Sequence, residues 1–183
     1  RKKCGIIGTP IFKADANART VYIHYLAYDT ERNCLVIKSE LYPINSQIPD
    51  DPKTAKVVQK WVTKGFNAFR EQGFNPEAIV GTTKQPLDGL EASIRNEPTA
   101  LTHLITQAML QAVSGAEVAL LNGGAIRIDD VIPPGNITQY DILRILPFKG
   151  QVVEVKMTGK VLERVLNQGE KNRGSGGYLQ TGG

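Results

Sequence analysis

Along residues 20–28 the side chains alternate. Val21, Ile23, Tyr25 and Ala27 fall on one face, and Tyr22, His24, Leu26 and Tyr28 on the other. A period of two in β-branched and aromatic residues predicts a strand. Thr30-Glu31-Arg32-Asn33 reads as a turn and Cys34 to Tyr42 as a second strand, so the pair predicts an antiparallel hairpin. Pro43 to Pro49 reads as extended linker. The period then changes. Asp50-Asp51-Pro52 is a helix start, with an acid at the cap and proline in the first turn. Val58, Trp61, Val62, Phe66 and Phe69 keep helical spacing up to a stop at Gly73, and Gly65 in between weakens the helix by about 1 kcal/mol relative to alanine.

The rest of the chain mixes both periods. Ala78 to Thr83 reads as a short strand. A helix is expected from Pro98, with Leu101, Leu104, Ile105, Ala108, Met109 and Ala112 on one stripe and Gly115 closing it. The apolar run from Glu117 to Leu121 predicts a strand buried on both faces. Thr138-Gln139-Tyr140-Asp141 has the form of a capping box with Asp in place of Glu, opening a helix through Ile142, Ile145 and Leu146. Gln151 to Met157 reads as another strand. Thr158-Gly159 leads into a helix carrying Val161, Leu162, Val165 and Leu166, with a stop near Gly169. Strands and helices alternate without a strict βαβ repeat. The expected class is α+β, a mixed sheet with packed helices, preceded by a short β-hairpin.

Composition narrows the function classes. An apolar fraction of 41% supports an ordinary core. No run of about 18 apolar residues is present, so no membrane-spanning helix is expected, and the apolar stretch after Arg1-Lys2-Lys3 is too short for a signal h-region. The net charge of +4 is scattered among acids rather than gathered in a stripe, which argues against nucleic acid as a partner. Cys4 and Cys34, the two cysteines, could close a disulfide in an exported protein, although two cysteines are also a common number of buried thiols. Without a CxxC there is no zinc signature. The basic start and the glycine-rich close read as a piece of a longer protein.

Two segments carry candidate chemistry. In Leu120-Leu121-Asn122-Gly123-Gly124-Ala125-Ile126-Arg127 a buried strand stops at two glycines, then presents an amide and a guanidinium. Glycines permit a sharp turn and close approach of a ligand to backbone N–H groups. Asn122 offers donor and acceptor in one plane, and Arg127 a planar fork for phosphate or carboxylate. In Ile145-Leu146-Pro147-Phe148-Lys149-Gly150 a helix breaks at proline and leaves Phe148 on a loop, where it can stack on a base or tuck into the core.

Together these motifs resemble the C-terminal domain of the 5′-nucleotidase family. Asn122-Gly123-Gly124-Ala125-Ile126-Arg127 looks like its Asn-Gly-Gly-Gly/Ala-Ile-Arg motif. Gly135-Asn136-Ile137-Thr138, Asp141-Ile142-Leu143 and Leu146-Pro147-Phe148 match its Gly-x-Ile-Thr…Leu-Pro-Phe block. Thr158-Gly159 with Leu162, Gly177-Tyr178-Leu179-Gln180 and Pro49-Asp50-Asp51-Pro52 match further motifs. The resemblance implies that Asn122 hydrogen-bonds a nucleoside and that Gly124 belongs to the same substrate-binding turn. It also implies that Arg127 faces ribose or phosphate and that Phe148 is one of two plates around the base. Arg95 falls where the family places another substrate-facing arginine, although Leu101-Thr102-His103 replaces the usual Leu-Gly-Asn and Pro98 a typical acid.

The family hydrolyses phosphate esters with two divalent metal ions held by an N-terminal domain. No Asp-x-His, Gly-Asn-His or Gly-His-x-His run occurs here, and the two histidines, His24 and His103, read as a packed strand residue and a polar helix residue. The resemblance therefore implies the following division. Residues 1–49 are terminal strands of the metallophosphatase domain plus linker, 50–73 a linker helix, and 74–183 an incomplete nucleotide-binding domain. No catalytic residue, metal ligand or bound cofactor is expected in this chain, which alone should be inactive. Its partners would be a nucleotide or nucleoside and its own N-terminal metallophosphatase domain, in a periplasmic or extracellular setting. The contrasting readings are a stand-alone, non-catalytic nucleoside-binding domain and a basic polyanion binder.

Overall fold

The computed structural model describes residues 9–183. Two compact units divide inside one helix, between Trp61 and Val62. In the first unit, β1 (Thr20–Asp29) and β2 (Cys34–Pro43) form the expected antiparallel hairpin, in register from Thr20 opposite Pro43 to Asp29 opposite Cys34. His24 is a packing residue, stacked on Tyr22 at 5.5 Å and beside Phe12 at 4.5 Å, with its Nδ1 at 2.8 Å from Ser39 Oγ. Cys34 is disulfide-bonded; Cys4 lies outside the described residues. On the hairpin surface the Glu40 carboxylate accepts from the Tyr42 hydroxyl, which pushes the phenol up to about 12.

Helix α1 (Pro52–Glu71) starts as read from the sequence. Asp51 Oδ1 accepts from the Thr54 amide at 2.8 Å, and this bond holds the Asp51 carboxyl below its usual value. Gly73, at φ +85°, ends the helix in the left-handed region that its missing Cβ permits.

In the second unit the α+β class holds, and the sheet is divided into small ladders. β3 (Ile79–Thr83) pairs with β7 (Gly135–Thr138), β4 (Leu87–Asp88) with β6 (Val131–Ile132), and β5 (Ala119–Asn122) with β8 (Leu179–Gly182). All three are antiparallel. Around them lie α2 (Glu91–Ile94), α3 (Ala100–Ala112), α4 (Gln139–Ile145) and α5 (Gly159–Lys171). Leu87, Ile94, Leu101, Ile126, Ile128, Ile132, Ile137 and Ile145 form the core. Phe66 and Phe69 of α1 pack on Tyr140 of α4 at 5.1 and 6.4 Å.

Several local expectations change. α3 starts at Ala100, not Pro98, because Thr99 and Thr102 form a reciprocal capping box and Thr99 Oγ1 also donates to Asp88 O at 2.7 Å. The departure from the family's usual sequence here thus supplies its own cap. β5 is buried fully only at Ala119, since Leu120 and Leu121 are half-buried and Asn122 is exposed. Residues 151–157 join no ladder, and Val152, Val153 and Val155 are 52–72% exposed. Their alternation suits a strand, but none of the described strands pairs with them. α5 runs past Gly169 to Lys171. That glycine is a close approach, not a stop: a Cβ there would sit 2.7 Å from the Leu179 side chain.

Candidate functional site

The site grows from the turn after β5. Asn122 closes the strand, Gly123–Ala125 make one 3-10 turn, and Ile126 returns to extended backbone and drops into the core. Contact demands a glycine at 123 and leaves little room for a side chain at 124. A Cβ on Gly123 would lie 2.7 Å from Ile94 O, and one on Gly124 3.0 Å from the Gly176 backbone. Their N–H groups are committed as well. Gly123 N–H donates to Tyr178 O at 2.7 Å and Gly124 N–H to Gly176 O at 2.9 Å. The expectation that these amides face a ligand therefore gives way. The glycines clamp the turn to the 176–178 loop, and the side chains beside them are what the surface presents.

Asn122 Nδ2 donates to Gly176 O at 3.1 Å. This orients the amide plane, and Oδ1 has no partner among the described residues. Arg127 N–H donates to Ile145 O at 2.9 Å. That bond ties the glycine turn to the end of α4, three residues before Phe148. The structure thus brings the two bends side by side. Leu146 leaves helical geometry at φ −126°, ψ 73°, as the residue before a proline tends to do. Phe148 is 66% exposed, so its ring lies outside the core.

Arg95 follows α2 and joins this group through an acid that the sequence reading did not single out. Glu91 Oε1 lies 2.5 Å from Arg95 Nη2 and 3.9 Å from Arg127 Nη1. Arg127 Nη1 is also 3.5 Å from Gly124 O. The Glu91–Arg95 spacing of one helical turn was visible in the sequence; its link to Arg127 was not. The backbone around Arg95 is held by Gln180, whose buried Nε2 donates to Ile94 O at 2.7 Å and Glu97 O at 2.9 Å. Gly174 N–H adds a bond to Arg95 O at 2.8 Å. Arg173 caps this edge, donating to Asn96 O, pairing with Glu170 at 2.7 Å and lying 5.0 Å over the Tyr178 ring. The Arg173 hydrogen bonds hold the Glu170 carboxyl below its usual value.

The arrangement thus gathers the exposed Arg127 guanidinium, the half-buried Arg95 guanidinium paired with Glu91 and an oriented amide, with an exposed aromatic ring on the adjoining loop. It can bind an anion through planar forks and a flat ring through stacking.

A family model described as the 5′-nucleotidase C-terminal domain matches residues 79–183. The chain belongs to the 5′-nucleotidase C-terminal domain family. The match includes all five predicted site residues, Arg95, Asn122, Gly124, Arg127 and Phe148. Among relatives, the chain is 29% identical over 188 residues to the 5′-nucleotidase of Homo sapiens, covering 95% of this chain and 31% of that protein. It is 28% identical over 165 residues to the trifunctional nucleotide phosphoesterase protein YfkN of Bacillus subtilis, covering 86% and 11%. A crystal structure of a 5′-nucleotidase precursor from Thermus thermophilus superposes with a TM-score of 0.72 at 26% identity, covering 90% of this chain and 32% of that one. The chain therefore spans a third or less of the length of these proteins.

A groove of about 790 Å³ lies elsewhere, lined by Val161, Val165, Gly169, Asn172 and Leu179 of α5 and β8 and their surroundings. It contains none of the five residues. Its wall carries two cations, Arg164 and Lys171, but no aromatic side chain, and it holds none of the family motif residues Asn122–Arg127 or Phe148, so the motifs favour the open surface. Among the described residues no group of three or more His, Cys, Asp or Glu is placed to hold a metal ion, and no helix is long and apolar enough to cross a membrane.

Proposed function

We propose that this chain is the substrate-recognition part of a 5′-nucleotidase-like hydrolase that removes phosphate from nucleotides or nucleotide sugars. The observation that carries the reading is the Arg127–Ile145 backbone bond, which sets the Asn122–Arg127 turn against the loop bearing the exposed Phe148 ring. Phe148 stacks on the base, an interaction worth about 1–3 kcal/mol. Asn122 Oδ1 accepts from the nucleoside, and Arg127 and Arg95 orient ribose or phosphate. Gly124 serves this site by letting the turn close on Gly176. Bond cleavage belongs to two divalent ions in an N-terminal metallophosphatase domain, where they would supply a metal-activated hydroxide and neutralise charge on the phosphate. This chain's own residues bind and orient.

In this reading residues 1–49 are the last strands and linker of that metal domain, 50–73 the linking helix and 74–183 the nucleotide-binding domain. The disulfide at Cys34 supports an oxidising compartment, the periplasm or the cell exterior. The test is hydrolysis by the full gene product with a divalent metal, assayed on nucleoside mono-, di- and triphosphates and nucleotide sugars. Release of phosphate is expected from at least one class, and none from residues 1–183 alone. Failure across all four classes would remove the enzymatic assignment.

A further inference from the structure

Glu91 is the acid at the centre of the candidate site, and the family resemblance gave it no role. Its carboxylate touches Arg95 closely and Arg127 at the limit of ion-pair distance. Within this trio, two cations share one anion. Without that acid the two guanidinium groups would lose the one carboxylate that pairs with both of them. The carboxylate satisfies them incompletely, because Arg95 Nε is buried and has no acceptor among the described residues. One carboxylate oxygen serves both arginines, whereas a phosphate presents three oxygens to the same forks.

The frame around Glu91 is fixed, and its side chain is partly open to solvent. Its backbone N–H donates to Asp129 Oδ1 at 3.0 Å, and the next turn is pinned by Gln180 and Gly174. The Glu91 side chain itself is 38% exposed, next to Arg127 at 44%. A swing about its own bonds releases both arginines without disturbing α2.

We propose that the Glu91 carboxylate is an internal stand-in for the ligand's anionic group, holding Arg95 and Arg127 in the free protein and yielding its place when a phosphate binds. Glu91 thereby sets specificity. It lowers affinity for the phosphate of a nucleotide and leaves affinity for the uncharged nucleoside untouched, which favours release of a phosphate-bearing ligand over its retention. The inference rests on the nucleotide-binding reading above.

The experiment measures equilibrium binding of the four common ribonucleosides and their 5′-monophosphates to the full gene product, with divalent metal removed by chelator to prevent turnover. Glu91→Gln keeps the side-chain shape and removes the charge. It should tighten monophosphate binding by about tenfold, the scale of one charge acting over a few ångströms at a partly exposed site, and change nucleoside binding by less than about twofold. Glu91→Asp keeps the charge but shortens the reach, and should give a smaller gain of about threefold. It carries the test if the glutamine variant does not fold. Nucleoside binding combined with unchanged or weaker monophosphate binding in the variants would overturn the inference alone. No binding of any nucleoside or nucleotide, in wild type or variants, would overturn the nucleotide reading and this inference with it.

Discussion

Phe148→Ala should raise the Michaelis constant of the full gene product for nucleotides by about 5- to 150-fold, the range that corresponds to losing one base stack of about 1–3 kcal/mol. The same change should leave the free energy of unfolding within about 1 kcal/mol, because the ring is 66% exposed and leaves no core cavity. The two readouts separate a binding residue from a packing residue. A buried phenylalanine would cost about 3–5 kcal/mol on truncation. Steady-state kinetics and denaturant unfolding on one preparation decide between them. A stability loss of that size with an unchanged Michaelis constant would mean that the ring serves the fold. A leucine at the same place should recover little of the lost binding, since it restores apolar contact without a flat π-face.

Gly123→Ala should destabilise the protein by about 2–3 kcal/mol, the cost of forcing volume into a packed interior. Its Cβ would meet the Ile94 carbonyl at 2.7 Å, and that carbonyl already accepts from Gln180. Neither side of the contact is a flexible side-chain tip, so relief requires α2 or the turn to move. Arg95 follows Ile94 directly, so the same shift should weaken nucleotide binding. Gly65→Ala is the contrasting case. That glycine lies inside α1 with nothing within 4 Å of a built Cβ, and the substitution should stabilise by about 1 kcal/mol. Thermal or denaturant unfolding checks both. Equal effects at the two positions would contradict the packing described around the turn.

The parts of this architecture legible in the sequence were those decided by near neighbours. The capping box at Thr138 is complete within four residues, and Thr138 Oγ1 accepts from the Asp141 amide at 3.2 Å as its spacing implied. The hairpin register follows from two alternating segments and a short turn. Phe148 was readable as a loop residue because Pro147 and Lys149-Gly150 flank it, while its exposure depended on how the loop lies. The parts not legible depend on distant partners. A glycine that stops a helix and one that admits a neighbour look alike in sequence. Gly169 is of the second kind only because β8 brings Leu179 against it. The amides of Gly123 and Gly124 read as open to a ligand until the 176–178 loop is placed over them. Residues 151–157 have the pattern of a strand, yet a strand needs an edge, and no pattern in one segment specifies where that edge is. Glu91 was not singled out, although it lies one helical turn before Arg95. Its reach to Arg127 requires the fold that brings the two together.

The central claim is that Arg95, Asn122, Arg127 and Phe148 form a single nucleotide-binding surface. The most direct measurement is a titration of the isotopically labelled 183-residue chain with nucleoside 5′-monophosphates, followed by amide and arginine side-chain NMR shifts. Perturbations should cluster at residues 91–95, 122–127 and 145–150, with the Arg95 and Arg127 guanidinium signals moving together. Shifts confined to the α5–β8 groove, or no shifts at millimolar nucleotide, would contradict the claim.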